Sequence, residues 1–173
     1  MGILKRKFIS REIRLKKRTP VYVLFDNIRS LYNVGAMFRT SDAALVTKIF
    51  LTGQTGKPPR KEIDKSALGA TDVVPWEYYK DAVKIIRKLK KQKINIVALE
   101  QTSKSISYCN TEYHFPICLV VGNEISGISQ EILNLCDSAI DIPMLGRAKS
   151  LNVATAYGIA LFEILKQYHF KHA

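Results

Sequence analysis

The stretch Ile140–Leu165, IDIPMLGRAKSLNVATAYGIALFEIL, is the segment from which the rest of the chain is interpreted. A short β-run stops at Pro143, a glycine-bearing turn follows, and an apolar helical pattern begins at Leu151. Ser150 is a residue type that caps the first turn of a helix, and Asn152 lies within that turn. Free backbone N–H groups at a helix start attract polar ligands, so this junction is suited to a ligand site. An ordinary strand-to-helix connection has the same local pattern.

Length and composition predict a single folded domain. The chain has 173 residues, of which 47% are hydrophobic, enough for one substantial core. No apolar run approaches the ~20 residues that span a bilayer, and the N-terminus lacks the uninterrupted apolar stretch of a signal peptide. We therefore expect a soluble, cytoplasmic protein that has no membrane partner.

Positive charge is concentrated at the N-terminus. The formal net charge is +12, and residues 1–20 carry eight basic side chains against one acidic side chain. We interpret residues 1–20 as a basic arm that binds nucleic acid and residues 21–173 as the folded domain, because such dense charge resists compact packing without a polyanion. A membrane surface is the weaker alternative, since the arm has few large apolar residues to insert.

Two further basic clusters lie within the domain. One consists of Lys57, Arg60, Lys61 and Lys65 in a Pro-rich segment. The other, Lys84–Lys93, lies on a predicted helix, where a solvated helix face is the favoured interpretation because apolar residues mark an opposite, buried face.

Apolar runs and helical periodicity alternate along the domain. The predicted buried strands are Val21–Phe25, Lys48–Leu51, Ile94–Leu99, Ile117–Val121 and Ala139–Ile142. The predicted helices are Val34–Ala44, Asp81–Gln92, Gln130–Cys136 and Leu151–Tyr168. This alternation predicts an α/β domain with a mostly parallel sheet flanked by helices. The longest irregular piece, Gly53–Ala70, is expected to contribute to a binding surface.

The sequence lacks the familiar nucleotide-binding and metal-binding signatures. No GxGxxG follows the first strand, and GQTGKPP has neither the spacing nor the Ser or Thr of a P-loop, which disfavours dehydrogenases and P-loop ATPases. The three histidines show no paired ligand spacing, so we expect no metal. Cys109, Cys118 and Cys136 lie in or near apolar elements and are expected to be buried thiols without a chemical role.

The segment DNIRSLYNVGAMFRTSDA places polar residues directly after the first strand. Gly35 allows a close backbone approach, while Asn33 and Arg39 can point toward the strand ends. The planar, permanently charged guanidinium of Arg39 is suited to a phosphate. Pairing of Arg39 with Asp26 or Asp42 is the structural alternative.

The segment Val120–Ser129, VVGNEISGIS, also follows a strand. Gly127 permits a second sharp bend, and Ser129 is suited to cap the next helix. Glu124 alone has two interpretations, because a carboxylate here can simply accept exposed N–H groups of the turn.

Taken together, NxGAxxRT, VVGNExxGIS and IPMxGxxxSLNVATA, in this order and at these separations, closely resemble the three motifs of the SpoU or TrmH family of RNA ribose 2′-O-methyltransferases. The resemblance covers about Val21–Tyr168, and KSALGA at Lys65–Ala70 resembles a further family segment. It implies the SPOUT fold, in which the C-terminal part forms a deep trefoil knot. It also implies S-adenosylmethionine bound in the knot, tRNA or rRNA as the partner, and a homodimer whose active site draws on both subunits.

The resemblance assigns roles to particular residues. The implied cofactor contacts are Leu99, Glu100, Gly122, Ile142, Met144 and Leu151. The implied catalytic residues are Asn33, Arg39, Glu124, Ser150 and Asn152. Taken one at a time, the apolar positions fit plain core better than a ligand role, and only their combination favours a cofactor site. A buried structural role is the alternative for each polar position.

The resemblance points to Arg39 as the residue that activates the 2′-hydroxyl. A guanidinium stays protonated, so we favour Arg39 clamping a substrate phosphate and polarising the hydroxyl, with the phosphate as a possible proton acceptor. Glu124 is a second base candidate, although we favour anchorage of the motif loops and of the partner subunit's first helix. Ser150 and Asn152 are expected to combine helix capping with orientation of Arg39 or ribose. The alternative function is a non-catalytic RNA-binding or ribosome-assembly factor on the same fold.

Overall fold

The computed structural model describes residues 18–171, in which one sheet carries helices on both faces. The strands are β1 (Thr19–Asp26), β2 (Val46–Thr52), β3 (Trp76–Tyr79), β4 (Asn95–Leu99), β5 (Ile106–Ser107), β6 (Ile117–Val121) and β7 (Ser138–Asp141). The helices are α1 (Leu31–Ala43), α2 (Lys61–Ala67), α3 (Ala70–Val73), α4 (Ala82–Lys91), α5 (Gln130–Leu133) and α6 (Val153–Lys171).

The strands lie in the order β3-β2-β1-β6-β4-β7-β5, and each pairing between them is parallel. At the centre, Phe25 of β1 is level with Leu51 of β2 on one side and with Val121 of β6 on the other. Because the strands point the same way, their carboxyl ends meet at one edge, where ligands of open parallel sheets collect. The predicted α/β class, with a mostly parallel sheet flanked by helices, is confirmed.

Each face of the sheet is covered by its own apolar layer. On one face, Val23 and Phe25 pack with α1, α2 and α6, including the fully buried Tyr157. On the other face, Leu24 packs with Ile86 of α4 and with α5. The two layers explain why ICLVV of β6 is buried at every position and reads as a continuous apolar run.

The apolar runs and periodicity do not predict β3, β5, α2 or α3. In particular, the prediction that Gly53–Ala70 is irregular is wrong, because α2 occupies Lys61–Ala67. Ile63 and Ala67 are buried, and the backbone of α2 approaches α1 so closely at Gly35 that a Cβ there would collide with the Ile63 carbonyl oxygen. The close backbone approach predicted for Gly35 is therefore an approach of one helix to another.

The cysteines differ in exposure. Cys118 is fully buried, and burial raises the pKa of its thiol. Burial likewise raises the pKa of Cys136 to about 12. Cys109 is exposed near the sheet edge, so the expectation that it is buried is wrong. No helix within residues 18–171 is both long enough and apolar enough to cross a membrane.

The described end of the basic arm has a structural contact. The guanidinium of Arg18 donates to the carbonyl oxygens of Val46 at 3.0 Å and Val73 at 2.6 Å. Strand β1 begins at Thr19, within the segment interpreted as the arm, and residues 1–17 lie outside the described range. On α4 the cations face outward above a buried face that includes Leu89, as the periodicity predicts.

Candidate active site

A cavity of about 560 Å³ opens at the carboxyl ends of β4, β6 and β7. The six residues implied as cofactor contacts line it: Leu99, Glu100, Gly122, Ile142, Met144 and Leu151. Three of the implied catalytic residues line it as well: Glu124, Ser150 and Asn152. The fold therefore brings residues as far apart in the sequence as Leu99 and Asn152 to the lining of one cavity.

Gly122 allows close packing in the lining of the cavity. A Cβ at Gly122 would lie 2.6 Å from Ile128 Cγ1 and 2.7 Å from the carbonyl carbon and oxygen of Gly127. The strand end and the following turn pack too closely here for any other residue. Gly127 itself has a φ of 67°, which is the sharp bend predicted at that position.

Glu100 ties two loops of the cavity together. Its Oε1 accepts the N–H of Gln101 at 3.0 Å, and its Oε2 accepts the N–H of Ile128 at 2.8 Å. The carboxylate therefore joins the loop after β4 to the loop after β6. Both oxygens point at backbone donors, which fixes the shape of the cavity wall.

Glu124 holds the start of α1. Its Oε2 accepts the N–H of Arg29 at 2.9 Å, and its Oε1 accepts the N–H of Ser30 at 3.1 Å. A side-chain amide N–H of Asn33 also donates to Oε1, at 3.1 Å. Partial burial raises the pKa of Glu124, but these hydrogen bonds outweigh it and hold the pKa below its usual value.

These contacts show what Glu124 anchors within its own chain. It holds the start of α1, 94 and 95 positions earlier in the sequence, and anchorage of a partner subunit's first helix stays a prediction. Carboxylates are favoured at a helix N-terminus, where backbone N–H groups are free. The contacts thus give Glu124 an anchoring role at the start of α1.

Asn33 and Asn152 extend the network to α6. The Nδ2 of Asn152 donates to the Oδ1 of Asn33 at 3.1 Å. Because a carboxylate can only accept, Asn33 must present its Nδ2 to Glu124 and its carbonyl oxygen to Asn152. We refer to Glu124, Asn33 and Asn152 as the rim network.

Asn152, rather than Ser150, caps α6. Its Oδ1 accepts the N–H of Ala154 at 3.0 Å and that of Thr155 at 3.3 Å, and α6 begins at Val153. Ser150 lies two residues too early to cap this helix, so the predicted cap is wrong. Ser150 is instead exposed at the cavity, where its hydroxyl is available to a ligand.

Arg39 is not part of the rim network. It lies on α1 six residues after Asn33, a spacing that turns it about 120° around the helix axis. Its side chain is exposed and forms no hydrogen bond or ion pair with any residue in the described range. It is therefore unpaired with Asp26 or Asp42, and its charge is free to meet a substrate.

Sequence reasoning missed Asn123, which organises the same turn as Glu124. Its Nδ2 donates to the Asn27 carbonyl oxygen at 2.8 Å, and its Oδ1 accepts the N–H groups of Ile125 and Ser126 at 2.9 and 3.0 Å. An asparagine directly after a strand-ending glycine is a typical turn residue, which was the available signal.

Helix α6 is locked over the centre of the sheet. The hydroxyls of Tyr157 and Ser41 lie 2.7 Å apart in the buried layer, and the Tyr157 ring packs edge-on against Phe25. Near its end, Gln167 donates to the Thr111 carbonyl oxygen at 2.9 Å and accepts the Tyr113 N–H at 3.2 Å.

Within residues 18–171, no group of three or more acidic, histidine or cysteine side chains is arranged to hold a metal ion.

Comparison with known proteins is consistent with this geometry. The sequence profile of the SpoU rRNA Methylase family matches residues 20–162. A tRNA (guanosine(18)-2′-O)-methyltransferase of Aquifex aeolicus is 34% identical over 158 residues, 91% of this chain and 74% of the relative. A 23S rRNA (guanosine-2′-O-)-methyltransferase RlmB of Blochmanniella floridana is 35% identical over 153 residues, 88% of this chain and 60% of the relative. The chain spans 59% to 78% of the length of such curated relatives.

Solved structures share the fold. The A. aeolicus TrmH/SpoU tRNA modifying enzyme matches with a TM-score of 0.85 at 34% identity, covering 93% of this chain and 83% of that one. An AdoMet-bound rRNA methyltransferase from Sinorhizobium meliloti matches with a TM-score of 0.81 at 31% identity, covering 89% of this chain and 59% of that one.

Proposed function

This chain belongs to the SpoU rRNA methylase family, and we propose that it transfers a methyl group from S-adenosylmethionine to a ribose 2′-hydroxyl of structured RNA. Relatives named for tRNA and 23S rRNA guanosine 2′-O-methylation support tRNA or rRNA as the substrate class. The observation that carries the proposal is the rim network, because Glu124, Asn33 and Asn152 meet beside the cavity from three distant parts of the chain.

The cavity fits S-adenosylmethionine in size and chemistry. Its volume of about 560 Å³ lies in the usual range for cofactor sites. Leu99, Ile142 and Leu151 supply apolar surface for an adenine ring, and the strand ends supply backbone donors and acceptors. We assign Glu100, Gly122 and Met144 to the same site. The bound cofactor brings a methyl group activated on a sulfonium, so the residues of this chain mainly bind, orient and exclude water.

We assign Arg39 to the acceptor RNA. Its guanidinium is exposed and free of acidic partners among the described residues, which suits a bidentate contact with a phosphate. A guanidinium only donates hydrogen bonds, so the role we assign to Arg39 is to hold the phosphate and polarise the 2′-hydroxyl while a phosphate oxygen takes the proton. Ser150, exposed at the cavity, is the residue we expect to contact the ribose.

Glu124 serves the site by position rather than as a base. Its two oxygens already accept three N–H groups, and those contacts lower its pKa. A carboxylate with a lowered pKa is a weaker proton acceptor. Glu124 thereby fixes Asn33, and through Asn33 it fixes the start of α6 at Asn152.

We further propose a homodimer and a C-terminal trefoil knot. Support for the knot comes from α6, which follows β7 near one edge of the sheet yet packs over its centre, with Gln167 held by the segment that leads into β6. Support for the dimer is the exposed Phe162 on α6, a large apolar side chain that a second copy would cover. Light scattering of the purified chain gives the oligomeric state.

The decisive experiment measures cofactor binding and methyl transfer separately. Calorimetry with S-adenosylmethionine tests the cavity, and transfer of labelled methyl groups to total tRNA and to rRNA transcripts tests the reaction. Resistance of the labelled linkage to alkaline hydrolysis identifies a ribose 2′-O-methyl group. Arg39→Ala is expected to bind the cofactor normally and to lose transfer.

The outcomes separate the two candidate functions. Folded protein that does not bind S-adenosylmethionine would be a non-catalytic RNA-binding factor. Binding together with label on a base would show a different acceptor. The enzyme is favoured because Asn33, Arg39, Glu124, Ser150 and Asn152 all retain polar side chains.

A further inference from the structure

A stripe on α1 combines an aromatic ring with the guanidinium of Arg39. Tyr32, Ala36 and Arg39 follow one another at intervals of four and three residues, so they share one side of the helix. Tyr32 is 52% exposed and Arg39 is exposed, while only the methyl group of Ala36 lies between them. The ring and the guanidinium thus form the ends of an open strip on the helix surface.

The ring stands on a rigid support. The carbonyl oxygen of Tyr32 accepts a hydrogen bond from Ser66 Oγ at 2.9 Å, which joins the first turn of α1 to α2. Gly35 allows the backbones of α1 and α2 to approach at this point. Next to Tyr32, Asn33 belongs to the rim network. The backbone that carries the ring is therefore fixed relative to the cavity.

A single exposed tyrosine is ordinary on a protein surface. Tyr32 differs from an ordinary one in three respects: it directly precedes a residue of the rim network, it shares its stripe with an unpaired arginine, and its hydroxyl has no hydrogen bond to any residue in the described range. Among those residues, no aromatic ring pair and no cation–π contact involves Tyr32.

Charge near the stripe favours a polyanion. Arg29, whose N–H is held by Glu124, is exposed beside the start of α1, and Lys65 is exposed beside Ser66. Neither side chain forms an ion pair with the described residues. An exposed ring among unpaired cations is the pattern of sites that stack a nucleobase and bind its phosphates.

We propose that Tyr32 stacks on a nucleobase of the substrate RNA while Arg39 holds a neighbouring phosphate. The two positions are seven apart in the helix, which separates their backbones by about 10.5 Å along the axis. This distance suits the reach of a nucleotide from its base to an adjacent phosphate. The inference rests on the proposed function and deepens it, because it names the group that presents the ribose to the cavity. Tyr32 is a residue that positions the substrate, and it takes no part in proton transfer.

The test compares two variants of the full chain, Tyr32→Leu and Tyr32→Phe. Tyr32→Leu removes the ring, and Tyr32→Phe keeps the ring without the hydroxyl. With the RNA that accepts label, we expect Tyr32→Leu to lower kcat/KM by about tenfold, the loss expected for one base–aromatic stack. Tyr32→Phe is expected to stay within about twofold of the unaltered chain on the same basis. Affinity for S-adenosylmethionine should be unchanged in both variants.

A second measurement does not require turnover. The fluorescence of a short single-stranded RNA that carries 2-aminopurine falls when the base stacks on a ring. We expect the unaltered chain and Tyr32→Phe to quench it and Tyr32→Leu not to. If the quenching depends on the ring but no methyl group is transferred, the stacking proposal is supported and the proposed methyltransferase function is contradicted.

Three results would overturn the stacking proposal. The first is equal quenching and equal kcat/KM for Tyr32→Leu and the unaltered chain. The second is a loss in Tyr32→Phe as large as that in Tyr32→Leu, because the hydroxyl would then be the active group. The third is a changed oligomeric state or cofactor affinity in Tyr32→Leu, which would make the ring a contact within the protein assembly.

Discussion

The side chains of Asn33 and Asn152 are hydrogen-bonded across 3.1 Å, although 119 positions separate them in the sequence. Asn33 is fixed in turn by Glu124, so the start of α1, the turn after β6 and the start of α6 share one hydrogen-bonded network. The entry to the cavity is therefore positioned jointly by the three sequence motifs.

Asn152 has two separable roles, and two variants distinguish them. Asn152→Asp keeps an acceptor for the N–H groups of Ala154 and Thr155 but cannot donate to Asn33. Asn152→Ala loses both roles. We expect Asn152→Ala to lower the free energy of unfolding by about 1 kcal/mol through the lost cap. Asn152→Asp should keep most of the stability that the cap contributes.

The two variants should differ in stability but not in methyl transfer. Both variants lose the donor to Asn33, so we expect both to lose activity, as measured by labelled methyl transfer and urea unfolding. Asn152→Asp with normal activity would show that the contact to Asn33 is dispensable.

Glu124 predicts a pH dependence of stability. Its pKa is lowered in the folded state, so its ionised form contributes stability above the usual pKa of 4.5, and this contribution is lost as the pH falls through the lowered pKa. We expect Glu124→Gln to be less stable than the unaltered chain by about 1 kcal/mol at pH 7. The difference should close as the pH falls below 4.5.

Urea unfolding at a series of pH values measures this difference. Glu131→Gln is the control, because Glu131 is exposed in the first turn of α5 and its side chain has no hydrogen bond or ion pair to the described residues. A constant gap between Glu124→Gln and the unaltered chain from pH 7 to pH 3 would contradict the assigned role.

Gly122, directly after β6, and Gly146, in the segment between β7 and α6, form a matched pair of glycines. A Cβ at Gly122 would meet Ile128 and the Gly127 backbone at 2.6 and 2.7 Å, whereas a Cβ at Gly146 would meet nothing within 4 Å. We expect Gly122→Ala to cost about 1–3 kcal/mol of stability and to weaken S-adenosylmethionine binding. Gly146→Ala should change neither quantity, and calorimetry with thermal unfolding checks both.

The basic arm should act on RNA alone. Residues 1–17 contain seven basic side chains, and Arg18 belongs to the fold through the carbonyl oxygens of Val46 and Val73. We expect deletion of residues 1–17 to weaken RNA binding and to flatten its salt dependence, with cofactor affinity nearly unchanged. Arg18→Ala should instead lower stability. An unaltered salt slope after the deletion would show that the arm does not contact phosphate.

Local patterns predicted the elements that are buried on two faces. The run at Ile117–Val121 matches β6 at both ends, because covered faces leave a continuous apolar sequence. The two-residue β5 and the short β3, which includes the charged Glu77, are too small or too polar for that signal. Helix α2 was not predicted because only Ile63 and Ala67 form its apolar side, and its other residues are four charged residues and Ser66.

The sequence predicted which residues lie at the site better than it predicted the contacts between them. The motifs indicated which residues gather at the cavity, since strand ends and turn residues carry local signals. That Asn152 donates to Asn33, and that Glu124 binds the start of α1, depends on contacts between positions more than 90 residues apart. The side of α1 that carries Arg39 follows from helical spacing, but its freedom from acidic partners depends on the folded surface.

The place of β6 beside β1 governs how the protein can fold during synthesis. Strand β1 pairs with residues 117–121, so the centre of the sheet stays open on one side until most of the chain has left the ribosome. A nascent fragment made of β1, β2 and β3 therefore presents a bare apolar edge, which is a template for pairing with other chains. We expect this domain to depend on chaperone shielding while it is translated and to gain resistance to proteolysis late.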